Sequence, residues 1–238
     1  MSGTICLFGD SIAKGVVYSS ELSRYTTSKS SFASILMAAS QAFSISNFSM
    51  FGCTILKGKS LILRHMNDVE NCEVAMLEYG GNDSDHNWAE VSLAPDCAHL
   101  PKTPLPEFAH NYEEMIDGFQ QMGKKMLILN LPPIDEHKYF NWISRGLSAA
   151  NILKWLGGTD RTIYDFHKGY NDKICEIADA KGVPLIDIRS PFLKMDNYSD
   201  CLCEDGIHPN EKGHAIIARK IEESLPEIYL SLADRPGA

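Results

Sequence analysis

Long apolar runs are what this chain most clearly lacks. No stretch approaches the roughly 18–20 consecutive apolar residues needed to cross a bilayer, so neither a membrane span nor a membrane partner is expected. The N-terminus shows no basic segment followed by an apolar run and a small-residue cleavage site, and the expected location is cytoplasmic. Positive charge is scarce as well. The 22 Lys and Arg against 31 Asp and Glu leave a formal net charge of −9, with the basic residues scattered. That balance disfavours nucleic acid and anionic lipid, whose binding needs clustered Lys and Arg. Cysteine is odd in number, seven in all, and irregularly spaced, which fits reduced thiols rather than a disulfide framework. Paired Cys-x-x-Cys or His-x-x-x-His groups are missing too. Cys201 and Cys203 stand just before Asp205 and His208, but a structural zinc site needs four ligands and no second pair completes it. No Pro/Gly/Ser-rich linker, repeat or low-complexity segment divides the chain, so one domain over residues 1–238 is expected.

What is present is strand alternating with helix, in a chain 44% hydrophobic and therefore able to bury a substantial core. Strand patterns run over Thr4–Gly9, Phe43–Met50, Val74–Tyr79, Lys125–Leu131 and Pro184–Ile188. Helical spacing covers residues 31–42, Ser60–Asn67, Leu105–Gln121, Thr162–Ala180 and Asn210–Leu225, the last with Asn210 as its N-cap. This alternation is the pattern of a parallel sheet covered on both faces, an α/β fold.

The chemistry-bearing residues collect at the predicted strand ends. Leu7-Phe8-Gly9-Asp10-Ser11 places a serine hydroxyl where the first strand turns into a helix, at the edge of an open α/β sheet where ligands bind. A serine there is either a nucleophile or a helix cap. Asp205-Gly206-Ile207-His208 lies on a turn-rich stretch. Its three-residue spacing lets the carboxylate accept a hydrogen bond from one imidazole nitrogen and leaves the other basic. Gly80-Gly81-Asn82-Asp83 follows the third strand, where Asn82 offers a side-chain NH2 or closes a turn. Gly52 follows the second strand and offers an unobstructed backbone N–H, or only backbone freedom. With the Ser11 N–H, these make three donors for one developing oxyanion. Asp10 and Asp83 read as structural, and His214 as a surface or packing residue of the last helix.

In this order, Gly9-Asp10-Ser11, Gly52, Gly80-Gly81-Asn82-Asp83 and Asp205-x-x-His208 resemble the blocks of the SGNH hydrolases, the GDSL-like lipases and acylhydrolases. The resemblance spans residues 4 to about 224. Ile12 replaces the leucine of the usual G-D-S-L, a change conservative for packing. The resemblance implies a three-layer α/β/α fold with a five-stranded parallel sheet in the flavodoxin-like order 2-1-3-4-5, which brings Ser11, Gly52 and Asn82 together. It implies a serine esterase with Ser11, His208 and Asp205 as the triad and Ser11, Gly52 and Asn82 as the oxyanion hole. The expected substrate is a small ester, short-chain acyl or acetyl and carbohydrate esters included, with no metal or organic cofactor. An acyltransferase or thioesterase on the same triad, or a non-catalytic binding module, are the alternatives. The aromatic segment 132–160 reads either as a lid over an apolar pocket or as a helical hairpin packed on the domain or on a second subunit. Asp85-His86-Asn87-Trp88 is expected to border the site. Oligomeric state is not written in the sequence.

Overall fold

Strands whose residues are apolar on both faces can only sit in the middle of a layered structure, and the central strands here are of that kind, while the edge strand Phe43–Asn47 buries only Ile45. The structure, a computed structural model, describes residues 3–39 and 43–233. The sheet is built from β1 (Gly3–Gly9), β4 (Phe43–Asn47), β5 (Val74–Glu78), β6 (Lys125–Leu129) and β7 (Leu185–Ile186). Every pairing is parallel and the order is β4-β1-β5-β6-β7. Numbered among themselves, these strands run 2-1-3-4-5, as the resemblance implies.

Alternation divides the core in two. Cys6 and Phe8 of β1, Ala75 and Leu77 of β5, and Met126 and Ile128 of β6 face one layer. That layer holds α3 (Ile55–Arg64), α4 (Met66–Asn71), α6 (Leu105–Gln121) and α9 (Arg161–Ala180). Ile5, Leu7, Val74, Met76, Leu127 and Leu129 face the other, with α1 (Ser11–Lys14), α2 (Phe32–Ala39), α10 (Ser190–Leu193) and α11 (Glu211–Ala233). Each buried Leu, Ile or Phe contributes about 1.5–3 kcal/mol relative to its exposed state, so the two faces anchor the strand tips firmly.

Strand ends and helix starts depart from the sequence pattern for identifiable reasons. β4 stops at Asn47, whose side chain bonds to Ala13 O and Ser49 N, although Phe48 and Met50 still donate to β1 carbonyls. β6 stops at Leu129, ahead of Pro132 and Pro133, and β7 is limited to Leu185 and Ile186. The helix expected at 60–67 begins at Ile55, because the Asp83 carboxylate from beyond β5 accepts from Ile55 N–H at 3.0 and 3.2 Å. A second helix, α4, follows directly after His65. The first predicted helix covers Phe32–Ala39, and the remaining predicted residues 40–42 lie outside the described ones. Asn210 does cap α11, its Oδ1 accepting from Lys212 and Gly213 N–H groups, and that helix runs on to Ala233.

Two additions stand at the carboxyl edge of the sheet. An antiparallel hairpin of β2 (Val16–Ser19) and β3 (Arg24–Thr27) follows α1 directly. On the other side, α5 (Trp88–Leu93), α7 (Glu136–Ile143) and α8 (Ala149–Trp155) enclose a third apolar cluster with Ile134, Ile163 and Tyr164. The segment 132–160 is therefore two short helices, with Ile152 and Leu156 buried between them and the domain.

Candidate active site

Ser11 is the first residue of α1, but it is not the cap. Asp10 is the N-cap, and its Oδ1 accepts from Ile12 N–H at 2.8 Å. The Ser11 hydroxyl is thus left for other partners, in a four-residue helix ended by Gly15 at φ 81°.

The Asp205–His208 loop comes to the same edge from α11's side. Asp205 Oδ1 accepts from Ile207 and His208 N–H, both at 3.1 Å, which folds the carboxylate back over the turn. Its Oδ2 lies 2.6 Å from His208 Nδ1, and His208 Nε2 lies 2.8 Å from Ser11 Oγ. A carboxylate only accepts, so Nδ1 carries the proton and Nε2 is left as the acceptor facing the Ser11 hydroxyl. All three side chains are buried. Burial pushes the Asp205 carboxyl up, yet the hydrogen bonds and charge of His208, with the Ile207 N–H, bring it below its ordinary value. It is therefore ionised at neutral pH and suited to stabilise a charged imidazole.

Gly206 explains why this loop reads as it does. Its φ is +75°, and a Cβ there would stand 2.6 Å from Asp135 O and 2.8 Å from Tyr139 N. The Asp135 N–H donates to Gly206 O at 2.8 Å. The Asp205–His208 loop thus docks directly on the start of α7.

Gly52, with φ +67°, and Asn82 line the same cavity as Ser11 and His208. Asn82 Nδ2 donates one hydrogen to Asp10 Oδ2 at 2.9 Å, which fixes the amide plane and leaves its second hydrogen available to a bound ligand. Asp83 sits behind that loop as the cap of α3, fully buried, and burial raises its carboxyl to about 6. The four separated sequence blocks therefore meet within one cleft.

The cavity holds about 440 Å³. On the near side, Tyr25 of the hairpin packs 5.2 Å from the His208 ring, and Phe51 stacks on the same ring at 6.1 Å and 10°. Trp142 of α7 meets Tyr18 at 4.6 Å and Tyr25 at 6.1 Å, joining hairpin and helix. Tyr139, Ile143, Phe166 and His167 complete this part of the lining. Asp85, His86 and Trp88 also line it, while Asn87 caps α5. Asp85 ties the far wall together, accepting from Trp88 Nε1 at 2.8 Å, Tyr139 OH at 2.7 Å and Lys102 Nζ at 2.8 Å. Burial lowers His86 and pushes His167 down to about 3, so both imidazoles present neutral edges at pH 7.

Sequence reasoning missed Tyr25, Phe51, Phe166, His167 and Lys102 as lining residues. The run 16–27, β-branched and aromatic on both sides of a Ser-rich turn, did carry a hairpin signal. Phe166 and His167 did not, because in sequence they are two residues on a long helix. His214 is wholly buried and packs on Phe32, whose N–H donates to its Nδ1 at 3.4 Å, so of the two readings, surface or packing, the packing one holds. Among the described residues, no three His, Cys, Asp or Glu side chains converge in a way that could hold a metal ion. Among them, too, no helix is long and apolar enough to cross a membrane.

Known proteins share both sequence and fold with this chain. A curated relative, the GDSL esterase/lipase CPRD49 of Arabidopsis thaliana, is 28% identical over 157 residues, 65% of this chain; the matched region spans about half (54%) of that protein. A lipase/acylhydrolase from Enterococcus faecalis superposes with a TM-score of 0.63 at 20% identity, over 93% of this chain and 96% of that one. A catalytic mutant of Axe2, an acetylxylan esterase from Geobacillus stearothermophilus, superposes with a TM-score of 0.65 at 15% identity, over 94% and 95%. The family profile for GDSL-like lipases and acylhydrolases matches residues 7–216, and the chain belongs to that family.

Proposed function

We propose that the protein is a serine hydrolase of small carboxylic esters that works through an acyl-enzyme. The observation that carries the reading is the relay from Asp205 through His208 to Ser11, with 2.6 and 2.8 Å steps. His208 Nε2 takes the Ser11 proton as Oγ attacks the ester carbonyl. The tetrahedral oxyanion is held by the Ser11 and Gly52 N–H groups and the free hydrogen of the Asn82 amide. The imidazolium, steadied by Asp205, then gives its proton to the departing alcohol. Water enters, His208 takes a proton from it, and the reverse sequence frees the acid and restores the Ser11 hydroxyl.

The size of the cavity supports a small ester: about 440 Å³ lies at the lower end of small-ligand pockets. The acetylxylan esterase among the structural relatives is in keeping with a short acyl group. In this reading α7 walls the acyl or alcohol side, with Trp142 and Ile143 against the bound ester.

The test is hydrolysis of a p-nitrophenyl ester series from acetyl to long acyl, wild type beside Ser11→Ala. The expected result is turnover of the short esters, lost in the variant. Equal turnover by wild type and variant would overturn the reading. Acid and transfer product, measured with and without a added alcohol, separate hydrolysis from acyl transfer.

A further inference from the structure

Glu78 is a charge-bearing residue where the fold calls for an apolar one. It closes β5, a strand otherwise made of Val, Ala, Met and Leu, and it is wholly buried. Its Oε2 accepts from the Ala13 N–H of α1 at 3.2 Å. Its Oε1 faces no N–H or O–H donor at all. The buried carboxyl of Asp10 stands beside it: Gly9 is paired with Glu78 across the two strands, the Asp10 N–H donates to Glu78 O at 3.2 Å, and the two side chains interact. Two carboxylates both accept, so their contact holds only if one carries a proton. Asp10 already receives two donors, Ile12 N–H on Oδ1 and the Asn82 amide on Oδ2. Glu78 receives one. The proton therefore belongs on Glu78 Oε1, which becomes the third donor to Asp10.

Resting on the reading of Asn82 as an oxyanion donor, we propose that Glu78 is a positioning residue: a neutral carboxylic acid that locks the Asp10 carboxylate, which in turn holds the Asn82 amide and the turn carrying Ser11. Burial, then the Asp10 charge and the bond between the two carboxyls, hold Glu78 well above the usual carboxylate range. The other titratable groups around the pair are His208 beyond Asp10, Asp83 behind the Asn82 loop, and the phenols of Tyr79 and Tyr112. Both phenols are themselves pushed well above their ordinary range, first by burial, so neither competes for the proton at neutral pH. Ionising Glu78 sets two carboxylates side by side and releases Asp10 from its place. Space around the pair is tight: a Cβ on Gly9 would stand 3.2 Å from Glu78 Oε2 and 2.7 Å from Glu78 O.

The experiment measures kcat, KM and the pH profile from 6 to 10 on p-nitrophenyl acetate, with melting temperature, for Glu78→Gln, Glu78→Ala, Asp10→Asn and the Glu78→Ala/Asp10→Asn pair. Glu78→Ala is expected to lose about 10–100-fold in kcat with KM within about twofold, since one misplaced oxyanion donor costs up to that order. Glu78→Gln keeps an N–H donor toward Asp10, returns most of that loss and removes the alkaline decline of wild type. The double variant should be no slower than Asp10→Asn, because both act through one path. A folded Glu78→Ala as fast as wild type, a Glu78→Gln as slow as Glu78→Ala, or an alkaline limb kept in Glu78→Gln would each overturn the proposal. Activity surviving in Ser11→Ala would instead overturn the esterase reading beneath it.

Discussion

The floor of the site and its walls are held in different ways. On the floor, Ser11, Asn82, Asp205 and His208 are fixed by hydrogen bonds to groups of set geometry: the Asp205 turn, the Asp10 cap, the Asn82 to Asp10 bond. Apart from the Asp85 hydrogen bonds to Trp88, Tyr139 and Lys102 on the far wall, the walls are fixed by ring contacts between segments far apart in sequence, such as Tyr18 with Trp142 and His86 with Phe166. The floor is directional and tolerates little, because a hydrogen bond weakens steeply with angle. The walls are largely non-directional and tolerate exchange of one apolar shape for another.

That comparison sets the expected effects of substitution. On the floor, Asp205→Asn removes the carboxylate that fixes the His208 tautomer, and kcat should fall by about 10⁴-fold with the fold intact. A loss below about tenfold would mean that His208 is not held by Asp205. Asn82→Ala should cost about 10²–10³ in kcat, with KM little changed, because the proposed mechanism has the amide serve the oxyanion rather than the bound ester. A change in KM alone would move Asn82 from the floor to the walls.

Gly206 is where the two regions touch, and it offers the sharpest middle case. Gly206→Ala places a Cβ 2.6 Å from Asp135 O in a left-handed backbone. A destabilisation of about 1–3 kcal/mol is expected, with kcat lowered on every ester alike, because the strain reaches His208. Denaturant unfolding and the ester series check both parts; a variant of wild-type stability would show that the Asp205–His208 loop and α7 are not coupled. The smallest effect belongs to the walls. Trp142→Ala should leave kcat on the acetyl ester within a few fold and shift preference among longer acyl chains by roughly tenfold. An unchanged chain-length profile would remove α7 from the substrate's surroundings.

The same division explains what could be read from the sequence. Asp205 and His208 are three residues apart, Asp10 and Ser11 adjacent, and the Asn82 block follows an apolar strand; each is a local pattern, and the sheet order carries them together. The α3 start at Ile55 could not be read locally, because its cap is Asp83, 28 residues away. Phe166 and His167 were invisible for a like reason: the cavity they line exists only once α9 lies beside α7. Glu78 was hidden in another way. It falls inside the strand read over Val74–Tyr79, where a lone carboxyl carries no signal, and only the fold shows Asp10 beside it.

The most direct measurement is covalent trapping. The wild-type protein is incubated with a fluorophosphonate at pH 7.5, digested, and its peptides are mapped by mass spectrometry. A nucleophile activated by His208 predicts one phosphonyl group, on Ser11, and its loss in His208→Ala. Absence of an adduct on Ser11 in folded wild-type protein, or equal labelling of Ser11 in His208→Ala, would contradict the account.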